Sequence, residues 1–389
     1  MIAQKTRERI ASRVRAVPPS GIRRFFDIAA TMPDVISLGV GEPDFITPAQ
    51  IRAAGQRSID TTTAYTSNAG LLELRQAVAE HLQWLYGIAY DPETEILITV
   101  GVSEAMQLAT LALFEPDEEV LVPEPCFVAY PATVMFTDAH PVYVPTSVEQ
   151  DFQVSAADLE AALTPQTRGL IIGYPNNPTG AVISRKRMLE LAAVAEEHDL
   201  MVLSDEIYDR LVYGVEHVCF AALPGMRDRT VTLGGFSKAY AMTGWRLGWL
   251  AAPADITAAA RKVHQYAIMS APTMSQYAGL AALKSGEGNI AEMLSEYDRR
   301  RQVVVAGLNR IGLPTFEPHG AFYAFPRIDR FGLSSEAFAE QLLMEEQVAV
   351  IPGDAFGPSG AGFVRICYAT SMEKIEQALD RIERFVQRR

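Results

Sequence analysis

The chain has 389 residues, 49% of them hydrophobic and 21% charged, enough for a sizeable core and for two domains. A formal net charge of −13 argues against a nucleic-acid or anionic-membrane surface, which needs a basic footprint, and leaves room for a local basic pocket. Three scattered cysteines and six histidines without HxxxH or CxxC spacing argue against a disulfide scaffold and a metal site, and fit a reducing cytoplasm.

In chain order, the opening MIAQKTRERIASRVR is basic but lacks the apolar stretch of a secretory signal. No apolar run reaches the ~18 residues of a membrane span. Residues 1–48, with their prolines, read as an arm that belongs in part to a small domain. From residue 95 onward, apolar runs predict strands at 95–100, 118–125, 140–146, 168–175, 200–208, 229–238 and 246–253. Helical patterns intervene, as in SEAMQLATLALF (103–114) and SRKRMLELAAVAEEHD (184–199). Near-continuous Val/Ile/Leu runs alternating with helices predict an α/β fold, with a mainly parallel seven-stranded sheet between helical layers. Residues 49–284 form this large domain, and 285–389 a smaller α+β domain with a mixed sheet.

Ligands in such sheets bind beyond the carboxyl ends of the strands. After ILITV comes GVSEAM, a glycine turn opening a helix, whose free N–H groups suit a phosphate or carboxylate. NNPTG follows the run at 168–175 and reads either as an Asn-Pro turn or as an amide fixed at the rim of the sheet. SDEIYDRLVY follows the next run; Asp205 there either caps a helix or is a carboxylate awaiting a buried cation. Lys238 in GGFSKAY either snorkels or is a desolvated amine of lowered pKa, nucleophilic toward an aldehyde. Arg246 follows eight residues later. Taken together, an anion cup, an Asn, an Asp, a Tyr, a Lys and an Arg suit a phosphate ester carrying a ring nitrogen and an aldehyde. GVGEPDF is not a dinucleotide loop, because Asp44 stands where the third glycine belongs. FSKAYA matches neither a serine-hydrolase SxxK nor a P-loop.

These motifs, with ISLGVGEPDFITP, TAYTSNAGLLELR, GAFYAFP and FVRICYA, occur in the order found in the class I/II pyridoxal-phosphate aminotransferases. The chain resembles that family over essentially its whole length, and is similar to its aspartate, aromatic and acyl-diaminopimelate branch. The resemblance implies pyridoxal 5'-phosphate as cofactor, with Lys238 forming an imine to its aldehyde and then carrying the proton of the substrate α-carbon. It implies Asp205 on the ring nitrogen, Tyr208 and Asn177 on the ring hydroxyl, and Phe127 stacked on the ring. Gly101, Val102, Ser103, Ser237 and Arg246 would hold the phosphate. Tyr65 would reach the phosphate in the neighbouring subunit of a homodimer. Arg365 would clamp the substrate α-carboxylate, assisted by Gly41 and Asn177. Val102 departs from the small residues frequent in that loop, and Cys126 beside Phe127 is read as packing. The expected reaction moves an amino group from aspartate or an aromatic amino acid to a 2-oxo acid such as 2-oxoglutarate by a ping-pong cycle. The alternatives are N-acyl-diaminopimelate transamination and C–S β-elimination. A cofactor-sensing DNA-binding regulator is disfavoured by the short arm and the acidic balance. Arg23 and Arg24 are candidates for a distal carboxylate, Ile22 or Phe25 for an aromatic side chain.

Overall fold

The computed structural model describes residues 9–389 except 20, 22–27, 29–31 and 33, so Ile22, Arg23, Arg24 and Phe25 lie outside the described residues. Strand β1 is Ile36–Ser37, in the arm. The predicted strands follow as β2 Ile96–Thr99, β3 Glu119–Glu124, β4 His140–Pro145, β5 Thr167–Ile172, β6 Met201–Asp205, β7 Thr230–Gly235 and β8 Gly248–Ala251. They form one seven-stranded sheet in the order β2-β8-β7-β6-β5-β3-β4. Neighbours pair in parallel except at β8, which runs antiparallel to both β2 and β7.

The pleat explains why the runs are apolar on both sides. Leu97, Leu203, Val231, Leu233 and Leu250 point to one face, packed against the helix Gly101–Leu113. Ile96, Ile98 and Ala251 point to the other, packed with residues of the helices Leu72–Tyr86 and Thr273–Ser285. With both faces covered, each buried Leu, Ile or Val contributes about 1.5–3 kcal/mol, and a polar face would be costly.

Every predicted run ends beyond its strand, three of them by three residues. The runs at 168–175, 200–208 and 229–238 extend beyond their strands, which stop at Ile172, Asp205 and Gly235. Lys238 is therefore in the turn after β7, not in a core strand. No helix follows Asp205 directly, so its helix-capping reading fails; its Oδ1 accepts from the Ile207 amide at 3.1 Å within a turn. Helix Gly101–Leu113 starts two residues earlier than the sequence suggests, directly on the glycine turn.

The C-terminal part holds β9 Tyr323–Ala324, β10 Val348–Ala349, β11 Ile351–Pro352 and β12 Val364–Cys367. The expected mixed sheet is instead two pieces: an antiparallel sheet β11-β12-β9, and a parallel pair of β10 with β1 of the arm. Two-residue strands carry too little periodicity to be read from sequence. Helices Glu287–Arg310, Ser335–Glu346 and Met372–Gln387 pack on these strands.

Candidate active site

Beyond the carboxyl ends of the parallel strands lies a cavity of about 520 Å³. Gly41, Val102, Ser103, Phe127, Asn177, Asp205, Tyr208, Ser237, Lys238, Arg246 and Arg365 all line it. Gly101 does not line the cavity but lies against Arg246, which does. The Gly101 φ of +73° is open to glycine at little cost, and a Cβ there would stand 2.9 Å from Arg246 Nη2. The guanidinium thus lies against the start of the helix Gly101–Leu113, where unpaired amides and the helix dipole already favour an anion. With the hydroxyl-bearing Ser103 and Ser237 on the same wall, this is a donor set for a phosphate. Arg246 itself is exposed and donates to the Thr243 carbonyl at 3.1 Å.

Asp205 is 6% exposed at the end of β6. Burial pushes its carboxyl up to about 6, while the Tyr130 hydroxyl, donating at 2.8 Å, and the Ile207 amide pull it down. A carboxylate so placed gains most from a cationic partner. Tyr130 was missed in the sequence. It sits three residues after Phe127, and the two rings meet edge to face at 5.8 Å. Its hydroxyl occupies the space where a Cβ on Gly173 would be, 2.2 Å away.

Lys238 Nζ donates to the Gly41 carbonyl. Burial lowers its pKa to about 8, with Arg365 and Arg246 adding to the effect and Cys367 and Glu42 opposing it. Lys238 is half-buried and lines the cavity. Rings of Tyr208 and Phe322 lie 5.6 and 5.5 Å from it.

Arg365, in β12, is 3% exposed and is stacked 4.5 Å from the Tyr323 ring and 4.8 Å from Phe356. Its Nη1 donates to Asn177 Oδ1 at 2.8 Å and its Nη2 to the Gly39 carbonyl at 2.5 Å. Its Nε is buried without a protein partner among the described residues, an orphan donor in a wall of the cavity. Because Asn177 Oδ1 accepts from Arg365, its NH2 is left to donate elsewhere. Tyr208 shares a 2.7 Å hydrogen bond with Tyr323, a cavity residue that the motif GAFYAFP contains but whose role its spacing does not disclose.

The carbonyls of Gly39 and Gly41 belong to the arm, which crosses the site as a strap. Leu38 bonds it to both sheets, its amide donating to the Ala349 carbonyl in β10 and its carbonyl accepting from the Cys367 amide in β12; Arg300 holds Asp44 at 2.8 Å, and Thr47 donates to the Ala241 carbonyl at 2.6 Å. Glu42 and Thr243, 3.2 Å apart, also line the cavity and were not foreseen. Cys126 is buried and outside the cavity lining, as its packing role implies. Tyr65 stands apart, 81% exposed and away from the cavity. Among the described residues no group of His, Cys, Asp or Glu could hold a metal ion.

The anion cradle, the buried carboxylate, the lowered amine and the orphan guanidinium donor together fit a phosphorylated pyridine aldehyde and an α-carboxylate. The sequence profile of the family "Aminotransferase class I and II" matches residues 33–382. Aromatic-amino-acid aminotransferase 2 of Thermococcus litoralis is 47% identical over 379 residues, covering 96% of this chain and 97% of the relative. The aspartate aminotransferase of Pyrococcus abyssi is likewise 47% identical, with the same coverage. The crystal structure of an aromatic aminotransferase from Pyrococcus horikoshii OT3 superposes with a TM-score of 0.90 at 46% identity, covering 94% of this chain and 99% of that one. With the profile spanning nearly the whole chain and both relatives aligned end to end, this protein belongs to the class I and II aminotransferases.

Proposed function

We propose that the cavity binds pyridoxal 5'-phosphate and transfers the amino group of aspartate or an aromatic L-amino acid to a 2-oxo acid such as 2-oxoglutarate, in two half-reactions at one site. The convergence of Lys238, Asp205 and Arg365 on one cavity carries this reading. When bound, pyridoxal phosphate supplies an aldehyde for the amino nitrogen and a cationic ring that accepts the electron pair of the α-carbon. Ser103, Ser237, Arg246 and the amides of Gly101, Val102 and Ser103 would hold its phosphate. Phe127 would cover a ring face, Asn177 and Tyr208 would bond the ring hydroxyl, and Asp205 would pair as an anion with the ring nitrogen.

Lys238 would hold the cofactor's aldehyde through its Nζ, and its free amine would carry the proton of the substrate α-carbon. A pKa of about 8 lets a useful fraction of the amine be neutral near pH 7 while keeping it basic. Arg365 clamps the α-carboxylate, using donors beyond those on Asn177 and Gly39; Gly41 shapes the pocket beside it. Tyr65, exposed in the single chain, reaches the phosphate of a second copy, so the working unit is a homodimer. We place it in the cytoplasm, in keeping with three free, buried cysteines. No helix among the described residues is long and apolar enough to cross a membrane.

The test is a single-turnover absorbance experiment on purified holoenzyme with a panel of amino donors, followed by 2-oxoglutarate. Aspartate or an aromatic donor should convert the aldehyde form to the amine form, and 2-oxoglutarate should restore it. If no donor does so while cystathionine yields pyruvate and ammonia, the protein is a β-lyase instead.

A further inference from the structure

Residues 205–209 divide between two environments. Asp205, Ile207 and Tyr208 line the cavity, whereas Glu206 and Asp209 do not. Glu206, 3% exposed, meets the His217 ring at 2.5 Å, with the His217 side chain 6% exposed. Its other oxygen accepts from the Ser204 hydroxyl at 2.7 Å. Asp209 accepts from the Tyr86 hydroxyl at 2.6 Å, and the Tyr86 and His217 rings meet edge to face at 5.9 Å. The turn itself is closed by Glu206 N to Leu233 O at 2.8 Å and Asp209 N to Glu206 O at 3.1 Å. A buried carboxylate, Glu206, and a half-buried one, Asp209, therefore adjoin Asp205 and Tyr208 along the turn, and nothing in the reaction proposed above uses them.

Left uncompensated at this depth, the Glu206 carboxylate would cost several kcal/mol. Burial alone would lower the His217 pKa, but Glu206 in contact and Asp209 nearby raise it on balance. The groups facing this cluster are Glu206 and Asp209 from the turn, Tyr86 from its helix, and Cys219, whose thiol is pushed up by burial and then by Glu206. The next cation, Arg210, is engaged by Glu287 through two 2.6 Å bonds. Glu206 also raises Asp205.

We propose that His217, paired with Glu206, is a positioning residue for the cofactor: it offsets the Glu206 charge next to Asp205 in the chain and locks the 205–209 turn. Asp205 then remains an anion for the ring nitrogen, and Tyr208 keeps its place in the cavity. The inference rests on the cofactor reading above, and the experiment separates the two. Apoprotein is titrated with pyridoxal 5'-phosphate by equilibrium dialysis across pH, and the absorbance of each holoenzyme is followed against pH. Wild type failing to take up the cofactor on Lys238 sinks the cofactor reading before any variant is compared.

His217→Gln should weaken cofactor binding about tenfold at neutral pH, more at lower pH, and move the midpoint of the absorbance titration. Glu206→Gln combined with His217→Gln, which removes both charges, should restore affinity to within about threefold of wild type. Affinity and midpoint of the single variant within twofold of wild type would overturn the proposal, even if its melting temperature fell. So would a double variant no better than the single. If the single variant does not fold, the double decides: near-normal affinity supports the charge-balance role, and loss of folding or of affinity refutes it.

Discussion

Replacing Lys238 by Met in the apoprotein should make it more stable at neutral pH and less stable at high pH. The pKa of the amine falls from 10.5 to about 8 on folding, burial being the largest cause. Below about 8 the ammonium is present in both folded and unfolded chains, and its burial destabilises the fold in full. Between about 8 and 10.5 the unfolded chain binds a proton that the folded one does not, so wild-type stability rises with pH through this window. At about 1.4 kcal/mol per pH unit, the rise is worth about 3 kcal/mol, a ceiling because the cavity admits water to the amine. Methionine has similar length and no charge, so the variant loses this dependence. It also loses the bond to the Gly41 carbonyl, which costs about 1 kcal/mol. The variant should thus be about 2 kcal/mol more stable than wild-type apoprotein near pH 7, a gain of roughly 2–3 °C in Tm for a chain this long. Near pH 10.5 it should be about 1 kcal/mol less stable. Thermal melts of both apoproteins at matched pH values between 7 and 10.5 read the difference directly, and other titrating groups cancel. A gap that stays constant with pH, or a variant less stable at pH 7, would refute the reasoning.

Tyr130→Phe removes a bond that holds Asp205 down, so the carboxyl should rise further and cofactor affinity should fall several-fold, most at acid pH. Gly173→Ala should reproduce that loss through the 2.2 Å clash with the Tyr130 hydroxyl, and the same dialysis titration checks both. Gly101→Ala forces a Cβ onto a left-handed residue and against Arg246; it should cost about 1–2 kcal/mol in Tm measurements and weaken binding of inorganic phosphate to the apoprotein. Arg365→Lys should raise KM for every amino and oxo acid roughly alike, by tenfold or more, because one ammonium cannot replace the two-pronged guanidinium. A loss confined to one substrate class in steady-state assays would mean that Arg365 binds a side chain instead.

The sequence by itself determined the seven strands, because a sheet buried on both faces demands uninterrupted apolar runs, and these stand out against helical spacing. It also exposed the positions where charge breaks such a pattern: Asp205 at the end of β6, and Lys238 and Arg246 between β7 and β8. Periodicity said nothing of the strap, whose carbonyls at Gly39 and Gly41 enter the site only because β1, two residues long, pairs with β10 more than three hundred residues away. Nor did it disclose Tyr130, Glu42 or Tyr323, since an isolated aromatic or acid has the same local signal in a core, on a surface or in a site. The pairing of Glu206 with His217 lies eleven residues apart across an irregular loop, beyond any repeat that a sequence can display. Tertiary structure alone decided that Asp205 is approached by a tyrosine, and that Lys238 lies among cations and rings. Burial and partner distance, which exist only once the chain is packed, set the pKa of both.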